Sequence, residues 1–293
     1  MLEVINLEKS FKDKKVLQGI NFKIEKGDIV GLIGPNGSGK STAMKCITGL
    51  IRDFQGNVIV DGVDTKDNKY IENISAIIEA PGLYPNISGE KNLEIFCSLL
   101  NAPDARLEEL KSFVNLGKNL YLPTKSYSMG MKQKLGIAIA LIPDVDYLIL
   151  DEPFNGLDID NLFIVRELIK ELAGLGKGIL VSSHQLLELD KLTDRNIYLK
   201  SGKIIEIDED ERAFNTYKIE YRGILADIEK TLNHLLDEDN IDSFLVEEGL
   251  LMIETNEKMN IFKILDLLEN IEIRSMDKLY NSSEEVYKLL YNE

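Results

Sequence analysis

In the first thirty residues, apolar side chains fall at about every second position. Residues 2–7 (LEVINL) and 20–24 (INFKI) carry this period, and polar turns follow at 12–15 and 25–28. Alternation of this kind predicts short strands. Residues 28–33 (DIVGLI) are almost continuously apolar and predict a buried strand, while 43–50 read like the first turns of a helix. Strand-like pieces recur at 56–60 and 75–78. The period then lengthens: 92–100, 107–116 and 130–141 each place apolar residues on one helical face. From Asp146 the chain returns to strand, helix, strand over 147–150, 160–172 and 178–182. The whole predicts an α/β core with a helical insertion, at about 84–141, between two of its strands.

The acidic run at 206–211 (EIDEDE) predicts a solvated turn, and the residues beyond it read as a separate unit. Strands are predicted at 217–221, 243–246, 250–254 and 271–274, helices at 225–236 and 259–268, and a last short helix at 283–291. The order strand-helix-strand-strand-helix-strand is that of a ferredoxin-like split unit. The expected domains are therefore 1–213 and 214–293, the second small and α+β. No internal repeat or low-complexity tract interrupts either.

Composition narrows the class. A chain of 293 residues with 44% hydrophobic and 29% charged residues is long enough for one large or two ordinary domains of globular type. Its longest apolar runs fall far short of the roughly 20 residues that span a bilayer. No basic-then-apolar leader opens the sequence, so a cytosolic location is expected. The net charge of −16 makes a poor counter-ion for nucleic acid, and no nucleic-acid partner is expected. Cys46 and Cys97 lack metal-ligand spacing and lie in apolar helical stretches, which predicts buried thiols rather than a disulfide.

Chemistry enters at residues 34–42, GPNGSGKST, a phosphate-binding loop in the strand-loop-helix context that the motif requires. Backbone N–H groups at a helix start point at an anion, and glycines let the loop wrap closely around it. Gly34, Pro35, Asn36, Gly37, Ser38, Gly39 and Thr42 would form the cradle. Lys40 would neutralise the β- and γ-phosphates, and the Ser41 hydroxyl would hold Mg²⁺. Downstream, the strand in VDYLILDEPFNGLD ends in Asp151 and Glu152. Hydrolysis needs one carboxylate to hold hydrated Mg²⁺ and another to orient and deprotonate water. Neighbours at a strand end point in different directions, so this pair can divide the two tasks. His184, in VSSHQ, follows another apolar strand; read alone, a single histidine is more often structural.

Over residues 1–210 these motifs, in this order, resemble the ATP-binding subunit of an ABC transporter. YSMGMKQK at 127–134 is similar to that family's signature segment, although Met129 and Met131 replace its usual first Gly and Gln. The resemblance implies that Ser128 and Gly130 contact the γ-phosphate bound to the opposite subunit. It also implies that Phe11 stacks on adenine, that Asp158 communicates across a dimer, and that His184 contacts the γ-phosphate. Cofactors implied are ATP and Mg²⁺. Implied partners are a second ATP-binding subunit, identical or different, and separate transmembrane permease subunits that hold the chain at the inner face of the membrane.

Glu79 departs from the family pattern, which usually has Gln there as a Mg²⁺ contact. With the segment that follows, AIIEAPGLYPNISGEKNL, and the closing SSEEVYKLL, it resembles the bacitracin-resistance and lantibiotic-immunity exporters. The expected function is ATP hydrolysis coupled to export of a peptide antibiotic or related amphiphile. The alternative is an importer subunit whose C-terminal domain senses a ligand. Translation and DNA-repair ATPases of the same superfamily fit less well: the former resemble two cassettes in one chain, and the latter part their catalytic strands with a long coiled coil.

Overall fold

A computed structural model describes residues 1–12, 14–64, 73–205, 213–223, 225–238, 240–255, 261–268 and 272–280, with single positions at 283, 287 and 291. The chain divides into two compact units, Met1–Glu206 with Leu290–Glu293, and Ile207–Leu289.

The first unit is built on two sheets. β1 (Leu2–Phe11) and β2 (Lys14–Ile24) pair antiparallel, and with β4 (Gln55–Val60) and β5 (Val63–Asp64) they make a sheet in the order β2-β1-β4-β5. Both strands of the hairpin outrun the expected segments. Lys14 and Lys15 belong to β2 rather than to a turn, pairing with Phe11 and Ser10. Exposed lysines interrupt the apolar alternation that defines a strand in sequence, but they leave the backbone ladder intact.

The second sheet has six strands in the order β10-β9-β3-β8-β7-β6. They are β3 (Ile29–Ile33), β6 (Ile74–Ile77), β7 (Tyr147–Asp151), β8 (Gly178–Ser182), β9 (Arg195–Lys200) and β10 (Lys203–Ile205). Every residue of β3, β7 and β8 is buried. All pairings are parallel except β9 with β10. Parallel strands buried on both faces read as apolar runs, which is why β3, β7 and β8 were legible. The sequence does not mark β9 and β10, because charged residues at their ends and the Ser201–Gly202 turn break the apolar pattern into short fragments.

Parallel pairing has a functional consequence: the loops that leave β3, β6, β7 and β8 all emerge at the same sheet edge. Helix α1 (Lys40–Ile47) follows β3, and its buried Met44 and Ile47 share one core with Leu7 and Leu17 of the hairpin and with Val30 and Tyr147 of the large sheet. β6 and β7 are neighbours, Ile74 opposite Tyr147, although the whole insertion lies between them. That insertion holds α2 (Gly89–Leu99), α3 (Asp104–Val114) and α4 (Met129–Ala140). Ser88 caps α2 by accepting from Lys91 N at 3.1 Å. α5 (Ile159–Gly174) links β7 to β8, and the short α6 (Leu186–Asp190) links β8 to β9. α6 was not expected from sequence, since five residues carry no helical period.

The second unit runs β11 (Ala213–Arg222), α7 (Leu225–Asp237), β12 (Ile241–Glu247), β13 (Leu250–Thr255), α8 (Ile261–Leu267) and β14 (Glu272–Tyr280). Its sheet order, β12-β13-β11-β14 with antiparallel pairing throughout, is the ferredoxin-like arrangement. Ile228, Leu232 and Leu235 of α7 and Ile261 and Ile264 of α8 complete its core against Ile219, Leu251 and Ile253. The predicted acidic turn at 206–211 and almost all of the predicted helix at 283–291 lie outside the described residues. Among the described residues, no helix is long and apolar enough to cross a membrane.

Candidate functional site

At the common sheet edge a pocket of about 480 Å³ is lined by Phe11, Lys14, Val16, Asn36, Gly37, Gly39, Lys40, Ser41, Thr42, Asp151 and Glu152. The chain reverses sharply between β3 and α1. Gly39 takes a φ of 114°, and a Cβ there would come 2.9 Å from Leu17 Cδ2, so only glycine fits. Lys40 opens the helix almost buried, its Nζ donating to Gly34 O at 2.6 Å and Pro35 O at 3.3 Å. Burial holds its ammonium below the ordinary lysine range, opposed by the charges of Glu152 and Asp151.

Asp151 ends β7 with its carboxylate buried, and Oδ1 accepts from Ser182 Oγ at 2.5 Å. Ser182 Oγ in turn accepts from Glu152 N at 3.0 Å. Glu152 has a φ of 51°, in the left-handed region that residues other than glycine seldom adopt. Glu152 Oε2 lies 2.7 Å from His184 Nδ1 and accepts from His184 N at 3.2 Å. One acid is thus anchored and dry, while the other is partly solvated and linked to an exposed imidazole, as two different roles require. The sequence named Asp151, Glu152 and His184; it did not name Ser182, whose hydroxyl joins the two strand ends.

The residues present fit a nucleoside triphosphate with a divalent ion. Ser38 Oγ is buried in the loop without a hydrogen-bond partner among the described residues. Ser41 and Asp151 supply a hydroxyl and a carboxylate oxygen, a donor set suited to Mg²⁺. Phe11 is half exposed at the pocket wall, where a ring face can receive a base; Lys9 Nζ sits 4.8 Å from its centroid.

Glu79 is placed differently. It lies outside the pocket lining, its side chain is 72% exposed, and Oε1 pairs with Lys45 Nζ at 2.7 Å. That lysine holds the carboxyl below its usual range. Lys45 stands one turn beyond Ser41 on α1, so Glu79 is near the same helix face rather than among the oxygens of the pocket. Ser128 and Gly130 are also absent from the lining. Ser128 caps α4, accepting from Met131 N at 3.2 Å, and is exposed. Gly130 is buried, and a Cβ there would overlap the amide of Asn161, the first-turn residue of α5 whose N and Nδ2 both bond Asp158 Oδ1, at 2.9 and 2.8 Å. Asp158, the cap of α5, thereby connects with the signature segment inside one chain. Asn161 gave no sign in the sequence, because its role depends on two helices meeting.

Comparison with known proteins agrees with this geometry. Residues 17–155 match the profile of the ABC transporter family. The chain is 41% identical over 205 residues to the lantibiotic transport ATP-binding protein SrtF of Streptococcus pyogenes, covering 70% of this chain and 89% of the relative. It is 32% identical to the ABC transporter ATP-binding protein YcbN of Bacillus subtilis, covering 100% of this chain and 97% of that one, and 33% identical to the bacitracin transport ATP-binding protein BcrA of Enterococcus faecalis over 86% and 83%. Among solved structures, the ATP-binding subunit of an ABC transporter aligns at 29% identity with a TM-score of 0.63, covering 81% of this chain and 98% of that one. A dimeric post-hydrolysis cassette bound to ADP and phosphate aligns at 25% with the same score, over 70% and 97%. With a phosphate loop, an acid pair and a histidine gathered at one sheet edge, and with relatives matched along nearly their whole length, the chain belongs to the ATP-hydrolysing, ATP-binding proteins of ABC transporters.

Proposed function

We propose that this ATPase drives export of a peptide antibiotic through separate permease subunits. The observation that carries the reading is the similarity to relatives named for lantibiotic and bacitracin transport. A second feature supports a membrane partner. An apolar groove of about 880 Å³ runs beside the segment after β6, walled by Ile78, Pro81, Leu83, Phe96, Leu100 and Ile139. An open apolar surface of this size is suited to a protruding partner helix.

In this reading ATP with Mg²⁺ supplies an activated phosphoanhydride and the charge neutralisation that its cleavage needs. Lys40 faces the phosphates, Ser41 and Asp151 hold the metal side, and Phe11 receives the base. Glu152 takes the proton from water, with His184 holding that carboxylate in place through the 2.7 Å contact. Ser128 and Gly130 complete the site of a second subunit, a reading supported by their absence from the pocket lining of their own chain. Glu79, at the mouth of the segment after β6, passes the nucleotide state towards the groove.

The test is to express the chain with its membrane subunits and measure resistance to lantibiotics and bacitracin beside ATP turnover of the purified protein. Glu152→Gln keeps the shape of the side chain and removes the base. Turnover is expected to fall by roughly 10²- to 10⁴-fold while ATP binding persists, and resistance is expected to vanish. Normal turnover in Glu152→Gln would remove the base from the mechanism. Resistance that survives the loss of turnover would refute antibiotic export as the driven process.

A further inference from the structure

Two helices leave the pocket edge from neighbouring strands. α5 follows the loop carrying Glu152, and α6 follows the loop carrying His184. The strand ends themselves are tied, Asp151 opposite Ser182. Beyond them Gln185 Nε2 of the His184 loop donates to Phe154 O of the Glu152 loop at 3.3 Å. Farther out, the helices meet again through one ion pair. Arg166 Nη1 of α5 donates to Glu188 Oε2 of α6 at 2.7 Å, with side chains only 13% and 18% exposed. The guanidinium also lies over Phe163, 5.3 Å from its centroid, while its buried Nε makes no hydrogen bond among the described residues and faces Glu167 Oε1 only at ion-pair range, 3.8 Å. Glu188 has a second cation, Lys191, at 2.8 Å on its own side.

A largely buried pair contributes little net stability, because desolvation offsets most of the attraction. An arginine whose Nε–H has only a carboxylate at 3.8 Å and no hydrogen bond is a poor choice for stability alone, so what its Nη1 joins carries the information. We infer that Arg166 is a positioning residue for ATP hydrolysis, its pair with Glu188 closing a ring that holds the Glu152 loop and the His184 loop in register. The ring runs from the Asp151–Ser182 strand pairing through Glu152 and His184 to the two helices. Opening it at the ion pair frees the α6 side of the His184 loop, which is then held by the strand pairing, its bonds to Glu152 and the bond from Gln185 to Phe154 O. The inference rests on Glu152 and His184 acting together in hydrolysis.

Lys40 and the phosphate loop hang from β3 and α1, outside this ring, so nucleotide affinity should not depend on it. In full-length Arg166→Met, kcat is expected to fall by roughly 10- to 100-fold, the scale of a misplacement of about 1 Å at a reacting group. The KM for ATP should stay within about threefold by the same reasoning, and Arg166→Lys should recover part of kcat, since an ammonium can still pair with Glu188 but loses the planar seat over Phe163. Glu188→Leu removes the pair from the other side and should reproduce the kcat loss, which keeps the test decisive if Arg166→Met does not fold. Unchanged kcat in folded Arg166→Met or Glu188→Leu would overturn the inference, as would equal loss of kcat and ATP binding. Glu152→Gln and His184→Ala run in parallel separate the two levels. If either of these turns over normally, the underlying reading falls; if both fail while Arg166→Met is unaffected, only the ring does.

Discussion

Gly130→Ala is the smallest change that tests how the signature segment is held. The new Cβ would overlap Asn161 Oδ1 and Cγ and stand 2.5 Å from Asn161 Cβ. Ordinary contact begins near 3.4 Å, so roughly 1 Å must be found. Rotating the amide does not supply it, because Asn161 Cβ is fixed by the backbone, and that backbone is bonded to Asp158 at 2.9 Å. Helix α4 must therefore move against α5. Overpacking of this kind costs about 1–3 kcal/mol. Loss of the Asn161–Asp158 side-chain bond adds about 1 kcal/mol, and the gain from alanine over glycine in a helix returns at most about 1 kcal/mol. The net loss is about 1–3 kcal/mol, a fall in thermal midpoint of roughly 3–10 °C for a unit of this size. Thermal unfolding followed by circular dichroism, with ATP turnover on the same preparation, reads both effects; turnover should fall more than ATP affinity. Gly174→Ala is the control: at the end of α5 a Cβ meets nothing within 4 Å, so stability should hold or rise slightly. A Gly130→Ala protein as stable and active as wild type would refute the packing argument.

Two further outcomes are expected. Glu79→Ala should bind ATP almost normally, because its carboxylate is exposed and paired with Lys45 rather than facing the pocket, yet it should lose resistance in cells carrying the permease; Glu79→Gln should be milder. Full resistance in Glu79→Ala, measured beside nucleotide affinity, would make the position a passive one. Cys46 is buried and its thiol is pushed up to about 12 by burial, and Cys97 is raised for the same reason. Iodoacetamide at pH 8 should therefore label neither thiol until the chain is unfolded, read by mass spectrometry; rapid native labelling of Cys46 would contradict its burial.

Local chemistry was legible in the residues alone. A phosphate loop is one continuous segment whose glycines and lysine act through their own backbone, so residues 34–42 needed no partner to be recognised. The same holds for the strand ending in Asp151 and Glu152, and for the strands and helices whose period survives over several residues. The C-terminal unit was also readable, because its order of elements admits few packings and the observed sheet order is one of them. Where charge interrupts the period, as at Lys14 and Lys15, or an element is as short as α6, the pattern carried too little signal.

Only the tertiary structure decided which of these pieces touch. The sheet order places β8 between β3 and β7 and brings Ser182 onto Asp151. The meeting of α4 with α5 explains why Gly130 cannot carry a side chain, and the meeting of α5 with α6 joins Arg166 to Glu188. The structure also joins Glu79 to Lys45 of α1, a pairing that the sequence does not show. Each of these contacts spans segments far apart along the chain. Their energies depend on distances of a few ångströms, which hydrophobic periodicity does not encode: it determines which face of an element is buried, and the packing of those faces determines which polar groups meet at their ends.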